Sequence, residues 1–323
     1  MIRIARYALK ALLLFIAVSI VAFTLMKLSP IDPVQAYIGA DASVSPEQRA
    51  RIAERWGIGQ SPVVQYLKWF SALWHGDFGT SIIFRQPVIG VIRERAIASL
   101  SLMGVSWLFS GLLGFLLGVL AGAYHNKWPD KLVKLWCLTL SSTPTFWLGL
   151  VLLILFSIKW GILPLGLSAP AGKLAAEVSL AERIRHIILP ALTLSLIGVS
   201  SIAMHTRQKL AEVLESDYVL YAVARGEKKW TVIRRHGLRN IALPALTLQF
   251  TSFAELFGGS VLAEQVFAYP GLGRTAVRAG IQSDMPLLLG ITLFSALFVF
   301  AGNSIADVLY HTLNPQIRRP GHD

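Results

Sequence analysis

Long apolar runs alternate with short polar, mostly basic stretches along the whole chain. A bilayer core about 30 Å thick takes roughly 20 apolar helical residues to cross. Six windows are long enough: about 8 to 28, 99 to 123, 135 to 158, 187 to 205, 241 to 263 and 287 to 310. The first follows Arg3, Arg6 and Lys10, as a signal peptide would. Its apolar stretch from Ala11 to Met26 is long for a signal core, and Lys27 to Pro30 is no small-residue cleavage site, so a retained helix is expected. The predicted fold is all-α and polytopic, with six transmembrane helices.

The polar stretches give the expected domains. Residues 1–28 form the first span, 29–97 an extracytoplasmic region, 98–311 a transmembrane core and 312–323 a cytoplasmic tail. Region 29–97 holds Trp56, Trp69, Trp74, Gly57, Gly59, Pro62 and Pro87. It is too polar to span and too aromatic for a linker, and is read as a small helical domain resting on the membrane through its tryptophans. Residues 159–186 read as an irregular outer loop, marked by Pro164, Pro170 and Gly172. Residues 206–240 are the long cytoplasmic loop: a helix ended by Gly226, a turn, then a short basic helix.

Composition narrows the class. The 323 residues are 54% hydrophobic and only 15% charged, against about 25% charged in soluble domains. The net charge of +12 would suit a nucleic-acid binder if it lay on one soluble face. Instead, 16 of the 30 Lys and Arg fall in the short segments on the side of the N-terminus, which predicts both termini cytoplasmic. One cysteine, Cys137, excludes an internal disulfide framework and reads as a buried hydrophobe. The seven histidines show no metal-ligand spacing, and no phosphate-binding loop or nucleophile elbow is present. No catalytic residue, bound cofactor or metal site is therefore expected on this chain.

Several blocks carry a family resemblance: Gly76-Asp77-Phe78-Gly79-Thr80-Ser81, Pro144-Thr145-Phe146-Trp147-Leu148-Gly149, Leu189-Pro190-Ala191-Leu192-Thr193, Asp217-Tyr218-Val219, Pro270-Gly271-Leu272-Gly273-Arg274 and Asn314-Pro315-Gln316-Ile317-Arg318. In that order they resemble a permease subunit of a bacterial ABC importer, in the binding-protein-dependent family for dipeptides, oligopeptides and nickel. The family's loop signature is a Glu-Ala-Ala stretch followed by Gly and, further on, Pro. Here Ala222 and Gly226 match, while Leu220, Tyr221 and Arg239 depart from it, as in the first of the two permeases of peptide systems.

The resemblance implies an inner-membrane subunit that pairs with a second homologous permease, two ATP-binding subunits using ATP and Mg, and an extracytoplasmic solute-binding protein. It assigns ATPase coupling to Asp217, Tyr218, Ala222 and Gly226, flanked by Arg225 and Glu227. Ala222 and Gly226, four apart, are expected to share a small face that admits the ATPase closely. The alternative for this loop is membrane lipid held by Arg234, Arg235 and Arg239, and the two readings are compatible.

Ionisable groups at membrane depth usually face protein or water. Glu255 in Phe253-Ala254-Glu255-Leu256-Phe257-Gly258-Gly259 is either a weak attractor for a cationic solute or a carboxylate bonded between helices, with Asn303 as candidate partner. Gly258 and Gly259 allow close packing or a break there. Pro270 and Gly271 are expected to turn the chain at the outer surface, with Glu264 and Arg274 as a possible pair, forming a gate or binding-protein contact. Asn303 and Asp307 share a face of the last span. The function expected is import of small peptides or a nickel-type metal chelate. An ion-coupled secondary transporter is the alternative, against which stands the lack of an internal repeat.

Overall fold

The computed structural model describes residues 2–28, 47, 60–170, 172–173 and 177–313. The region from 29 to 59 apart from residue 47, with its Trp56, and the tail beyond residue 313 lie outside the described residues. Every regular element among the described residues is helical: α1 (Ile2–Leu28), α2 (Pro62–Trp74), α3 (Val88–Ala123), α4 (Trp128–Ser141), α5 (Thr145–Leu153), α6 (Leu180–Leu214), α7 (Asp217–Ala224), α8 (Lys229–Val232), α9 (Leu238–Thr251), α10 (Phe253–Val266), α11 (Leu272–Ile281) and α12 (Met285–Leu313). Wider π-helical turns extend α5 over Ile154–Lys159 and join α8 to α9 over Ile233–Gly237.

The apolar windows fall on these helices, and not all as straight rods. α3, α6 and α12 are long and apolar enough to cross a membrane singly, and α1 carries a shorter apolar stretch, Leu9–Leu25. The window at 135–158 is bent by 103° between α4 and the α5 segment, and the one at 241–263 by 56° between α9 and α10. The first bend has a local cause. Pro144 disfavours helical backbone at Thr143 and cannot donate a hydrogen bond itself, so one helix ends and the next starts.

The chain divides into two compact units. The first comprises residues 1–98 and 271–300, and its core joins Val88, Val91 and Ile92 of α3 to Leu272 and Ala279 of α11 and Leu287 and Ile291 of α12. α2 lies against α1: Phe23 meets the rings of Tyr66 and Trp69 at 5.5 and 5.6 Å, and Ser19 Oγ is 2.8 Å from Tyr66 Oη. The loop of the Gly76–Ser81 block is closed by Asp77 Oδ1, which accepts from Gly79 N–H (2.9 Å). Ser81 Oγ and Ile83 N–H both donate to the buried Asp284 Oδ2, at 2.6 and 3.0 Å. Asp284 Oδ1 accepts from Leu287 N–H at 3.2 Å, so the same carboxylate caps α12.

The second unit comprises residues 99–270 and 301–323 and is organised around α6. Ser179 and Glu182 form a reciprocal capping box that starts this helix well before its apolar window. Gly111, Gly114, Gly118 and Gly122 place a row of bare backbone on α3; three of them meet α6. A Cβ at Gly118 would lie 2.6 Å from Thr206 Cβ and 2.7 Å from Ala203 O, which no unshifted side chain tolerates. Such closeness lets dispersion and packing hold two helices where lipid removes the hydrophobic drive. Gln249 and Trp107 then staple α9 to α3. Trp107 Nε1–H donates to Gln249 O (2.8 Å), and Gln249 Nε2 donates to Trp107 O (2.5 Å).

Candidate functional site

At one end of the second unit, α7 sits on a base built by three other elements. Its inward residues Val219 and Ala222 are 2% and 5% exposed and pack with Val232 of α8 and with Val213 and Leu214 at the end of α6. Sharing Val213 and Leu214 with it, a second apolar cluster joins Ile233 and Ile241 to Leu210 of α6 and Ala123 of α3. Gly237 permits that contact, since a Cβ there would meet Leu210 Cδ1 at 2.8 Å. The opposite face of α7 is open: Tyr218, Leu220, Tyr221 and Val223 are all about half exposed or more.

Gly226 ends α7 with φ +85°, where its N–H donates to Val223 O and the next N–H to Ala222 O. This is the left-handed helix stop that glycine adopts without steric cost. Polar contacts fix the rest. Asn240 Nδ2 donates to Tyr218 Oη at 3.0 Å, the Arg225 guanidinium lies 5.9 Å from the Tyr221 ring centre, and Glu227 is 3.8 Å from both Arg235 and His236. Asp217 and Arg225 are exposed.

The base is locked by an ion pair. Asp130, at the start of α4, is 1% exposed and receives two N–H groups of Arg207 on α6, Nη2 at 2.7 Å, together with Asn126 N–H at 2.8 Å. Lys229 Nζ lies 4.4 Å from the centre of the Tyr124 ring, so the α3–α4 turn also touches the α7–α9 segment. Packed side chains and a buried ion pair thus link α7 to α3, α4 and α6.

This geometry changes one expectation. Ala222 and Gly226 do not form a shared outward face: Ala222 points into the protein, and Gly226 lies beyond the helix with nothing within 4 Å of a Cβ built on it. The exposed surface of α7 is the aromatic and aliphatic one. Val219 and Ala222, three apart with Leu220 and Tyr221 between them, make a narrow inward stripe on a two-turn helix.

The residues expected along a pathway divide between α10 and the segment that leads into α11. Glu255 occupies the first turn of α10, just past the bend, and is exposed; among the described residues it makes no hydrogen bond with Asn303, itself exposed. The break thus precedes Gly258 and Gly259. Gly258 is open, whereas a Cβ on Gly259 would sit 3.4 Å from Leu194. Glu264 is fully buried and accepts from Ser99 Oγ at 2.6 Å.

The reversal after α10 is made earlier than expected. Ala268 takes a positive φ of 49°, with Tyr269 N–H bonded to Glu264 O, while Gly271 is extended and caps α11, which carries the half-buried Arg274. Phe267 anchors this corner. Its carbonyl accepts from Leu167 N–H at 2.8 Å, and Gly166 passes so close that a Cβ would lie 2.1 Å from that oxygen. Burial, reinforced by the nearby Glu264 carboxylate, pushes the Tyr269 phenol up to about 12.

Comparison with known proteins identifies the frame in which these parts act. Residues 114–319 match the family model described as binding-protein-dependent transport system inner membrane component, and residues 1–103 match the N-terminal model of the same systems. The chain belongs to that family. It is 34% identical to the oligopeptide transport system permease protein AppB of Bacillus subtilis, over 97% of this chain and 98% of the relative. It is 35% identical to the glutathione transport system permease protein GsiC of Salmonella typhimurium, over 97% and 98% of the two chains. The protein is thus a multi-pass inner-membrane permease of a binding-protein-dependent ABC importer.

Three contacts of this permease escaped the sequence reading: Asp130 with Arg207, Asp284 with Ser81, and Gln249 with Trp107. A signal existed for the first. Asp130 stands alone among Lys127, Lys131 and Lys134, an acidic residue placed at a helix start behind Pro129.

Proposed function

We propose that this permease forms half of a translocation pathway for small peptides, with a second permease as the other half. Two ATP-binding subunits on the cytoplasmic side hydrolyse MgATP, and an extracytoplasmic binding protein supplies the solute. The relatives named for oligopeptide and glutathione transport support peptides as the substrate class. Both termini and α7 face the cytoplasm in this reading, as the distribution of Lys and Arg favours.

The observation that carries the coupling role is the two-sided character of α7. Its outward residues Tyr218, Leu220, Tyr221 and Val223 form an apolar, aromatic-rich patch of the kind that marks protein contacts. Its inward residues are seated on α6 and α8. A helix that is exposed on one face and packed on the other moves as one body with its support, so closure of an ATPase around it shifts α6.

The test is transport in proteoliposomes holding the permease pair, the ATP-binding subunits and the binding protein. Tyr221→Asp is expected to lower peptide-stimulated ATP hydrolysis and uptake by about tenfold or more, as loss of a central aromatic contact does. The melting temperature of the purified permease should hardly change, because the side chain is exposed. Unaltered hydrolysis in that variant would remove α7 as the contact. ATP-independent uptake that follows an ion gradient would overturn the reading as a whole.

A further inference from the structure

We infer that the cleft between Trp230, Thr231, Arg234 and Arg235 holds the phosphodiester headgroup of an anionic phospholipid. The cleft has a volume of about 500 Å³ and is lined by these four side chains. Trp230 and Arg234 are four apart, as are Thr231 and Arg235, so the two pairs form adjacent rows on one helical surface. All four residues are exposed, while Val232, Ile233 and Gly237 on the other side are buried against the body of the protein. The rows are thus held by a packed backbone and need no ordering on binding.

Charge and depth select the ligand. Arg234 makes no ion pair among the described residues, and Arg235 is only 3.8 Å from one oxygen of Glu227 with its own side chain 72% exposed. Lys228, Lys229 and Arg239 lie on the same segment, and all are exposed. The segment runs directly into α9, whose apolar window opens at Ile241. At 1.5 Å per residue, Arg235 stands about 9 Å from that point along the helix. The headgroup layer on each side of the hydrocarbon core is about 5–8 Å deep, which an arginine side chain easily covers.

The face of Arg235 continues through Arg239 to Leu246, four and then seven residues on, and Leu246 is 49% exposed at membrane depth. One surface therefore offers guanidinium groups to a phosphate, an indole at the interface and an aliphatic track to the acyl chains. Tryptophan beside basic residues is the expected composition of such a site. An acidic protein surface would fit the arginines but gives no role to the apolar continuation at Leu246.

The experiment is native mass spectrometry of the purified full-length permease in detergent, titrated with phosphatidylglycerol or phosphatidylcholine of identical chains. The wild type should retain phosphatidylglycerol preferentially, and Arg234→Gln with Arg235→Gln should weaken it roughly 25-fold, near 5-fold per charge. Arg234→Lys with Arg235→Lys should keep most of the preference, which separates loss of charge from misfolding. Unchanged phosphatidylglycerol retention in the glutamine variant overturns the proposal. So does displacement of the lipid by millimolar inorganic phosphate, which would mark a site for free phosphate. Weaker capture of the ATP-binding subunit with lipid retention intact would assign the cleft to protein docking and equally refute the lipid site. None of these readouts involves transport, so they stand or fall separately from the coupling role of α7.

Discussion

Asp130 and Glu255 are carboxylates on helices of the same unit, and the protein treats them in opposite ways. Asp130 is 1% exposed and bonded by Arg207 and by Asn126 N–H. Glu255 is exposed in the first turn after a 56° bend and makes no hydrogen bond or ion pair among the described residues. A buried charge must have its partners within the chain, because desolvation is otherwise too costly. A charge left open on a membrane subunit is available to water, to another subunit or to a passing solute. The contrast separates a residue that builds the support beneath α7 from one left open to its surroundings.

Removing one partner of the buried pair is the strongest way to break this comparison. Asp130→Asn leaves Arg207 charged and poorly bonded where it is 12% exposed, at an expected cost of about 3–5 kcal/mol. The purified variant should melt well below the wild type or fail to accumulate. Replacing both residues by leucine removes the uncompensated charge and should recover much of that loss. A single variant as stable as wild type would show that the pair carries no structural load, and Asp130 would then join Glu255 as a functional candidate.

The two faces of α7 give a finer test. Ala222→Leu pushes three extra carbons into the cluster of Val219 and Val232, an overpacking that costs about 1–3 kcal/mol. Its effect should reach coupling through the base: ATP hydrolysis persists but becomes poorly linked to uptake, and limited proteolysis cuts faster near residues 215–227. Tyr221→Asp should instead leave proteolysis unchanged while hydrolysis falls. Identical behaviour of the two variants would mean that α7 has no distinct inner and outer roles.

What could be read beforehand follows from the range of each signal. The spans were legible because about 20 apolar residues in a row have few other uses. The helix stop at Gly226 was legible because a left-handed residue after a short helix calls for glycine. The equivalent corner at Ala268 carries no such mark, and Pro270 with Gly271 is the stronger turn signal in the sequence. The 103° bend had a local sign, Thr143 before Pro144, but hydropathy averages across it. Asp130 and Arg207 are 77 positions apart, and Ser81 and Asp284 are 203 apart. Nothing local joins such pairs. The orientation of Ala222 is ambiguous in the sequence for a different reason: small residues four apart suit close approach to a partner, yet on this helix the same smallness lets α7 settle on its own base.

The smallest expected effect belongs to Glu255, and it sharpens the comparison most. An exposed carboxylate 4 Å from a unit positive charge gains about 1 kcal/mol in water-like surroundings and about 4 kcal/mol near a protein surface. Glu255→Gln keeps the size of the side chain and the α10 backbone while removing that attraction. If Glu255 faces the pathway, uptake of a peptide with a cationic side chain should fall about fivefold, the lower of those values, while a peptide of zero net charge changes little. Competition between two labelled peptides in one proteoliposome preparation measures the ratio directly, and differences in assembly cancel. Stability should stay within about 0.5 kcal/mol of wild type, since no bond among the described residues is lost. Equal slowing of both peptides would point to a contact with the second permease, because a damaged interface cannot distinguish solutes by charge. No change in either would leave the carboxylate facing lipid headgroups or water, outside the route of the solute.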